Sequence, residues 1–369
     1  MLMRVSEPKP QGTSGELPPA GDRGGPAQPL LSVKSLVKHF PVRDPFWVRE
    51  RRVVHAVDGV SFDVAKGETL GIVGESGCGK STTARLLARL LTPDSGKLVF
   101  DGDGVGEFGG LGLSDYRRSL QMVFQDSFAS LNPRMTIEDT IGFAPRVHGL
   151  SPNDAVARSH QLLERVGLLP AQFAARYPHE LSGGQRQRIN IARALALQPR
   201  LLVLDEAVAA LDKSVQAQVL NLLQELKREQ GLTYIFISHD LHVVQYLCDR
   251  VMVMYLGQVI EIGPVDQIYS AARHPYTQAL LSAVPSMDPK RRTAKPPLNG
   301  DPPNPISPPS GCRFRDRCPQ AEAVCATTVP ALTALQPARD VHLHQVACHM
   351  TIAGSGHSAA PESHILEPA

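Results

Sequence analysis

No stretch of the sequence approaches the roughly 20 consecutive apolar residues needed to cross a bilayer. The expected protein is therefore soluble, or held at a membrane by a partner. The opening segment "MLMRVSEPKPQGTSGELPPAGDRGG" has no apolar core, so no secretory signal is expected there. Net charge is only +2, which gives no argument for a polyanionic partner. Cysteine is scarce through most of the chain. Of 6 residues, only Cys78 and Cys248 precede the last sixth. That distribution, in a chain long enough to bury a real core, excludes a secreted disulfide scaffold. No long internal repeat is present.

What is there suits a large globular chain. The 369 residues are 42% hydrophobic and 20% charged. At roughly 100–200 residues per domain this is one large domain with an appendage, or two modest ones. Residues 1–30 are rich in Pro and Gly and read as a disordered tail. Order is expected from "LLSVKSLVKHFPV", which alternates as a strand does. In "VVHAVDGVSFDVAKGETLGIVGESG" short strand-like runs are separated by Asp-Gly and Lys-Gly turns, and "GKLVFDGDG" is a strand entering a turn. "TLGIVG", "RLLVLDE" and "TYIFISHD" are apolar runs with polar ends, the pattern of parallel strands covered on both faces. Open α/β sheets bind ligands at those polar, carboxyl ends. "SVQAQVLNLLQELKREQG" marks one helical face with Val219, Leu222, Leu223 and Leu226, and Gly231 is its expected stop. From Pro285 to Pro309 proline is too dense for regular structure, and the stretch reads as an extended linker.

"GESGCGKST" at 74–82 fits G-x-x-x-x-G-K-[ST] between an expected strand and an expected helix. Glycines let backbone N–H groups curl around phosphate, and the helix N-terminus adds a favourable dipole. Gly74, Glu75, Ser76, Gly77, Cys78, Gly79, Lys80, Ser81 and Thr82 are thus expected to bind a nucleotide. Lys80 reaches the β/γ-phosphates, and the Ser81 hydroxyl serves Mg²⁺. Cys78 is simply small enough for the loop. "LLVLDE" ends a buried strand in two carboxylates, an arrangement with no value as packing. Asp205 is expected to hold Mg²⁺ through its water shell, and Glu206 to polarise the attacking water. "LSGGQ" at 181–185 is a second glycine-rich helix start without a phosphate-loop Lys. One chain needs no second anion trap for the same nucleotide, so this turn is expected to serve one held by another subunit.

Together these motifs resemble the ATP-binding-cassette (ABC) ATPases, in family order and at family-like spacing. The resemblance implies an α/β fold: a P-loop NTPase core with an antiparallel β subdomain and a helical subdomain, plus a C-terminal cysteine-containing extension. It implies head-to-tail pairing of two cassettes, with Ser182, Gly183, Gly184 and Gln185 acting in trans. Gln125 in "MVFQDS" matches the family's Gln loop, which touches Mg²⁺, and His239 in "FISHD" matches the switch histidine. "AALD" at 209–212 matches the dimer-contact loop, and Phe40 lies where an aromatic ring stacks on adenine. Taken singly, such a His or Gln is usually just solvated, and a Phe before Pro is usually core. Some positions depart from the pattern: Ala209 replaces a usual Ser, Lys213 stands where an apolar residue is common, "QDS" replaces "QDP", and "GVGEFGGLGL" is unusually glycine-rich. None removes a catalytic group.

"SLNPRMTI", "VMYLGQVIEIGP", "RHPYTQALLSAVP" and "NPISPPSGCRFRDRCP" resemble the peptide-permease branch, and the last resembles its F-type subunits. The implied organisation is a cassette over 31–270, an extension over 271–350 held off it by the Pro-rich linker, and a disordered tail over 351–369. Implied cofactors are ATP and Mg²⁺. Implied partners are a second ABC ATPase subunit, two transmembrane permease subunits and an extracytoplasmic peptide-binding protein, at the cytoplasmic face of the membrane. No nucleic acid is expected: "VRERR" and "KRRTAK" lack interleaved aromatics and read as solvated loops. The competing class is a soluble cassette acting on nucleic acid or ribosomes. Such proteins often carry fused cassettes or long coiled-coil insertions, which this chain lacks.

Cys312, Cys318, Cys325 and Cys348 are spaced C-x5-C-x6-C-x22-C. The close pairs of common zinc sites are missing. Four thiolates suit a [4Fe–4S] cluster, which the resemblance also implies. Zinc or another metal, and free or redox-active thiols, stay open. Arg313, Arg315 and Arg317 stand among these thiols, either offsetting thiolate charge or facing solvent.

Overall fold

The computed structural model describes Gly25 and residues 28–42, 52–283, 300, 303–335 and 343–361. The tail expected over 1–30 lies outside these apart from Gly25 and residues 28–30. The same holds for "KRRTAK", for all of "VRERR" but Arg52, and for most of the Pro-rich stretch. The described residues form two compact units, one of residues 127–199 and the other of the described residues on either side of that stretch.

The smaller unit is helical. Thr136 and Ser151 cap helices Ile137–Val147 and Pro152–Arg165 by accepting from the N–H groups of Asp139 and Asp154. Each satisfies a donor that the helix start leaves unpaired. The two helices pack on each other and on helix Gly183–Leu195. Ile137, Ile141, Leu162, Leu163, Ile189 and Ile191 on these helices are buried.

The larger unit holds two sheets. Strands β1 (Leu31–Pro41), β2 (Val53–Val64), β4 (Ser95–Phe100) and β5 (Asp103–Gly104) form an antiparallel sheet in the order β2-β1-β4-β5. The remaining strands are β3 (Thr69–Val73), β6 (Leu120–Val123), β7 (Leu201–Asp205), β8 (Thr233–Ile237), β9 (Arg250–Tyr255), β10 (Gln258–Pro264), β11 (Thr333–Ala334) and β12 (Gln345–Val346). They run in the order β11-β12-β10-β9-β3-β8-β7-β6. The stretch β9-β3-β8-β7-β6 is parallel. All five residues of β3, β7 and β8 are buried, as apolar runs covered on both faces require. A core of Leu, Ile, Val and aromatic side chains joins the two sheets.

Four expectations need adjustment. Asp58-Gly59 is not a turn between strands. β2 runs through it, with Gly59 (φ +77°) as an extra residue between the pairs Leu36–Val60 and Val37–Asp58. In helix Lys213–Gln230, which ends at Gly231 as expected, Leu220 rather than Leu222 joins the buried face. The C-terminal segment is not held off the cassette. β12 pairs with β10 and so extends the main sheet. The tail expected from residue 351 is folded through residue 361: His357 is buried against the Gln320 carbonyl at 2.9 Å, and Ser358 donates to Glu322.

Glu261 in β10 secures this annexed strand. It is fully buried and accepts from the N–H groups of Arg273 (2.7 Å) and His274 (3.1 Å). His344, next to β12, lies 2.7 Å from its carboxylate. Burial alone opposes ionisation, but His344 and the backbone donors win and hold the carboxyl below its ordinary value. Its contribution is therefore fully present above the unfolded-state pKa and is lost as pH falls through the lower folded value. Glu261→Ala orphans these partners and should cost about 3–5 kcal/mol in chemical denaturation at neutral pH. An unchanged denaturation midpoint contradicts this assignment.

Candidate functional site

The phosphate loop leaves the carboxyl end of β3 and enters helix Lys80–Leu87. Its glycines are dictated by space and by backbone conformation. At Gly79 (φ +107°) a Cβ would lie 2.2 Å from the Ala56 carbonyl oxygen, and at Gly74 (φ +148°) 2.3 Å from that of Met254. No side chain fits either position. Lys80 is 6% exposed, and its Nζ donates to the carbonyls of Gly74 (2.7 Å) and Glu75 (2.9 Å). Cys78 is buried with its Sγ 3.7 Å from Lys80 Nζ, and burial raises its thiol pKa. Ser76 and Gly77 are exposed at the loop tip, while Ser81 and Thr82 are half-buried in the first helical turn.

Three neighbouring parallel strands deliver the acidic and polar groups to the same edge. Asp205 ends β7, buried to 3% exposure, and accepts from Ser81 Oγ at 3.1 Å. Burial pushes its carboxyl above the ordinary value, against the Ser81 hydrogen bond. Glu206 follows with φ +48°, in the left-handed region that non-glycine residues avoid. Its N–H donates to the Ile237 carbonyl at 3.0 Å. Its carboxylate receives Gln125 Nε2 at 2.9 Å, from beyond β6, and lies 3.4 Å from His239 Nδ1, from beyond β8. Gln125, Glu206 and His239 are thus brought together, as are Ser81 and Asp205. Phe40 lies in β1 opposite Val54, with Lys38 Nζ 5.6 Å from its ring centroid.

The SGGQ turn starts helix Gly183–Leu195 in the helical unit. Ser182 Oγ accepts from the Gln185 N–H at 3.3 Å, and Gln185 Oε1 accepts from the Ser182 N–H at 3.0 Å. This reciprocal cap fixes both side chains at the helix start, where Gly183 and Gly184 keep the backbone accessible.

The four thiols converge on one cavity of about 10 Å³, close to a single water-sized sphere. No three of the four sulfurs lie mutually within 4.8 Å. A single tetrahedral zinc with Zn–S of ~2.3 Å needs sulfurs about 3.8 Å apart. Burial pushes the Cys312 and Cys348 thiols up to about 11. The arginines among them are engaged elsewhere. Arg313 binds Asp58 and the Leu256 carbonyl, Arg315 binds the carbonyls of Ser310 and Ala326, and Arg317 binds Glu75. Nothing in the local sequence pattern pointed to these partners, nor to Tyr276, which accepts from the Glu75 N–H. His39, His55 and Asp58 are the one group among the described residues with three metal-type ligand atoms within 4.8 Å. Arg313 already pairs with that Asp58, leaving little charge to attract a cation.

A phosphate loop and an Asp-Glu strand end on one edge of a parallel sheet define a P-loop ATPase. Residues 57–209 match the ABC transporter family, and residues 260–325 match the oligopeptide/dipeptide transporter C-terminal region. A putative peptide import ATP-binding protein of Brucella ovis is 50% identical over 310 residues, 84% of this chain and 95% of the relative. The oligopeptide transport ATP-binding protein AppF of Bacillus subtilis is 48% identical over 87% of this chain and 97% of its own. Among solved structures, the cbiO1 protein of Clostridium perfringens, part of the cbiONQ ABC transporter complex, aligns with a TM-score of 0.55 at 29% identity. It covers 66% of this chain and 91% of its own. A dimeric ATP-binding cassette in a post-hydrolysis state with ADP and Pi also scores 0.55 at 28% identity, covering 64% and 98%. The chain belongs to the ABC transporter family, in its oligopeptide/dipeptide branch.

Proposed function

We propose that this chain hydrolyses ATP to power import of oligo- or dipeptides across the cytoplasmic membrane. The observation that carries this reading is where the likeness falls. It includes residues 260–325, the part special to the oligopeptide/dipeptide branch, as well as the cassette. No helix among the described residues is long and apolar enough to cross a membrane. The chain works at the cytoplasmic face with two transmembrane permeases and, indirectly, an extracytoplasmic peptide-binding protein.

In this reading the loop N–H groups and Lys80 hold the β- and γ-phosphates. Ser81 and Asp205, with Gln125 nearby, hold Mg²⁺, which neutralises phosphate charge. The buried Asp205 carboxylate, with only a hydroxyl against it, suits that role. Glu206 polarises the attacking water, and Gln125 and His239 fix its carboxylate. Phe40 stacks on adenine. Ser182, Gly183, Gly184 and Gln185 close over a nucleotide held by a second cassette, so two chains make two sites. Affinity purification from detergent-solubilised membranes tests the assembly. Integral permease subunits are expected with the chain; ribosomes or nucleic acid in their place contradict it.

Four Cys ligands are the usual set for a [4Fe–4S] cluster, and the sulfurs are too widely spaced for a single tetrahedral zinc; the cavity between them, about 10 Å³, holds one water-sized sphere, so the thiols must part to admit a cluster. Cys312, Cys318, Cys325 and Cys348 would hold it, supplying a redox-active or structural centre. Anaerobically purified protein is expected to carry about four iron and four sulfide per chain. Stoichiometric zinc with a featureless visible spectrum contradicts this assignment.

A further inference from the structure

Glu75 places a carboxylate in the loop read above as binding ATP. A negative charge beside a polyphosphate weakens binding unless it is compensated. The compensation comes from far along the chain. Arg317 Nη1 donates to Glu75 Oε2 at 2.8 Å, and Nη2 donates to Oε1 at 3.1 Å. This two-pronged pairing suits a planar guanidinium and not an ammonium. The side chains are 6% and 23% exposed, so solvent screens the pair only in part. Tyr276 Oη accepts from the Glu75 N–H at 2.8 Å, and Lys80 takes the Glu75 carbonyl. Every polar group of Glu75 is therefore engaged, two of the three by residues beyond position 270.

Those two residues are firmly seated. Arg317 ends a tight turn, Arg315–Arg317, that begins after Phe314. Phe314 is 2% exposed and packs edge-on to Tyr255 and Tyr276, with centroids 5.4 and 5.5 Å apart. The Tyr255 hydroxyl lies 3.4 Å from Arg317 Nη1. Arg313, four residues earlier, anchors the segment to Asp58 and to the Leu256 carbonyl. The turn cannot shift far without disturbing this aromatic cluster.

We propose that Arg317, supported by Tyr276, is a positioning residue for nucleotide: it neutralises and fixes the Glu75 carboxylate, so the C-terminal segment sets the affinity of the phosphate loop for ATP. The inference rests on the reading of residues 74–82 as the ATP-binding loop. Calorimetric titration of the full-length chain with Mg·ATP, at fixed ionic strength, tests both separately. Arg317→Ala is expected to weaken binding about tenfold, and more for ATP than for the less charged ADP. Arg317→Lys falls between, keeping the charge but losing the fork. Glu75→Gln added to Arg317→Ala should recover most of the loss, since no uncompensated carboxylate remains. Wild-type affinity in Arg317→Ala overturns the proposal. So does a double variant as weak as the single one, which would mark a packing defect. If Arg317→Ala fails to fold, the comparison rests on Arg317→Lys with and without Glu75→Gln, where the second change must tighten binding. Failure of the wild-type chain to bind Mg·ATP defeats the underlying reading instead.

Discussion

Replacing Glu206 by Gln is expected to lower ATP hydrolysis by at least about 100-fold while leaving Mg·ATP binding in place. The substitution keeps the shape of the side chain and its contact with Gln125, 2.9 Å away. It removes the negative charge that would draw a proton from water. The backbone explains why no neighbour can replace this carboxylate. With φ at +48°, Glu206 is turned out of the strand line, and its N–H is tied to Ile237. Asp205, one residue earlier, is buried and directed to Ser81. The two acids therefore face different partners and cannot exchange roles. Hydrolysis and equilibrium binding measured on the same preparation check this. Wild-type turnover in Glu206→Gln would remove it as the general base.

Lys80→Ala should have its main effect on binding, raising the Kd for Mg·ATP by about 100-fold, the scale of one or two charge-assisted hydrogen bonds. Lys80 Nζ is buried and held only by two loop carbonyls and the Cys78 sulfur. A phosphate oxygen is a stronger acceptor than any of these. Losing Lys80 thus removes the one cation within the loop itself, while Arg317 stays committed to Glu75. A Kd within threefold of wild type (about 0.7 kcal/mol), in a variant that melts normally, would place the phosphates elsewhere.

Much of this site was legible in the sequence because its groups sit at the ends of short, apolar strands. "TLGIVG", "RLLVLDE" and "TYIFISHD" became β3, β7 and β8, and their polar ends meet at one edge. Local spacing determines such placement once the strands are parallel neighbours. What escaped was non-local. Glu75 and Arg317 are 242 residues apart, and no periodicity links them. β11 and β12 have two residues each, too short to show alternation, yet they extend the main sheet. The prolines before Cys312 suggested a tethered module. A tether and a docked segment have the same composition; the difference lies in Glu261, Arg313 and Arg317, whose partners appear only in the fold. Asp58-Gly59 misled for a related reason: the same dipeptide serves a hairpin turn or a bulge, and pairing with β1 decides which.

In the proposed function, ATP hydrolysis at this site drives peptide import. Its most direct test is uptake of a labelled oligopeptide into proteoliposomes. These would hold the chain with its co-purified permeases and second cassette, with ATP on the cassette side and binding protein opposite. ATP-dependent uptake is expected with the wild-type chain and little or none with Glu206→Gln. Equal uptake by the two, or hydrolysis that proceeds without any peptide movement, would contradict it.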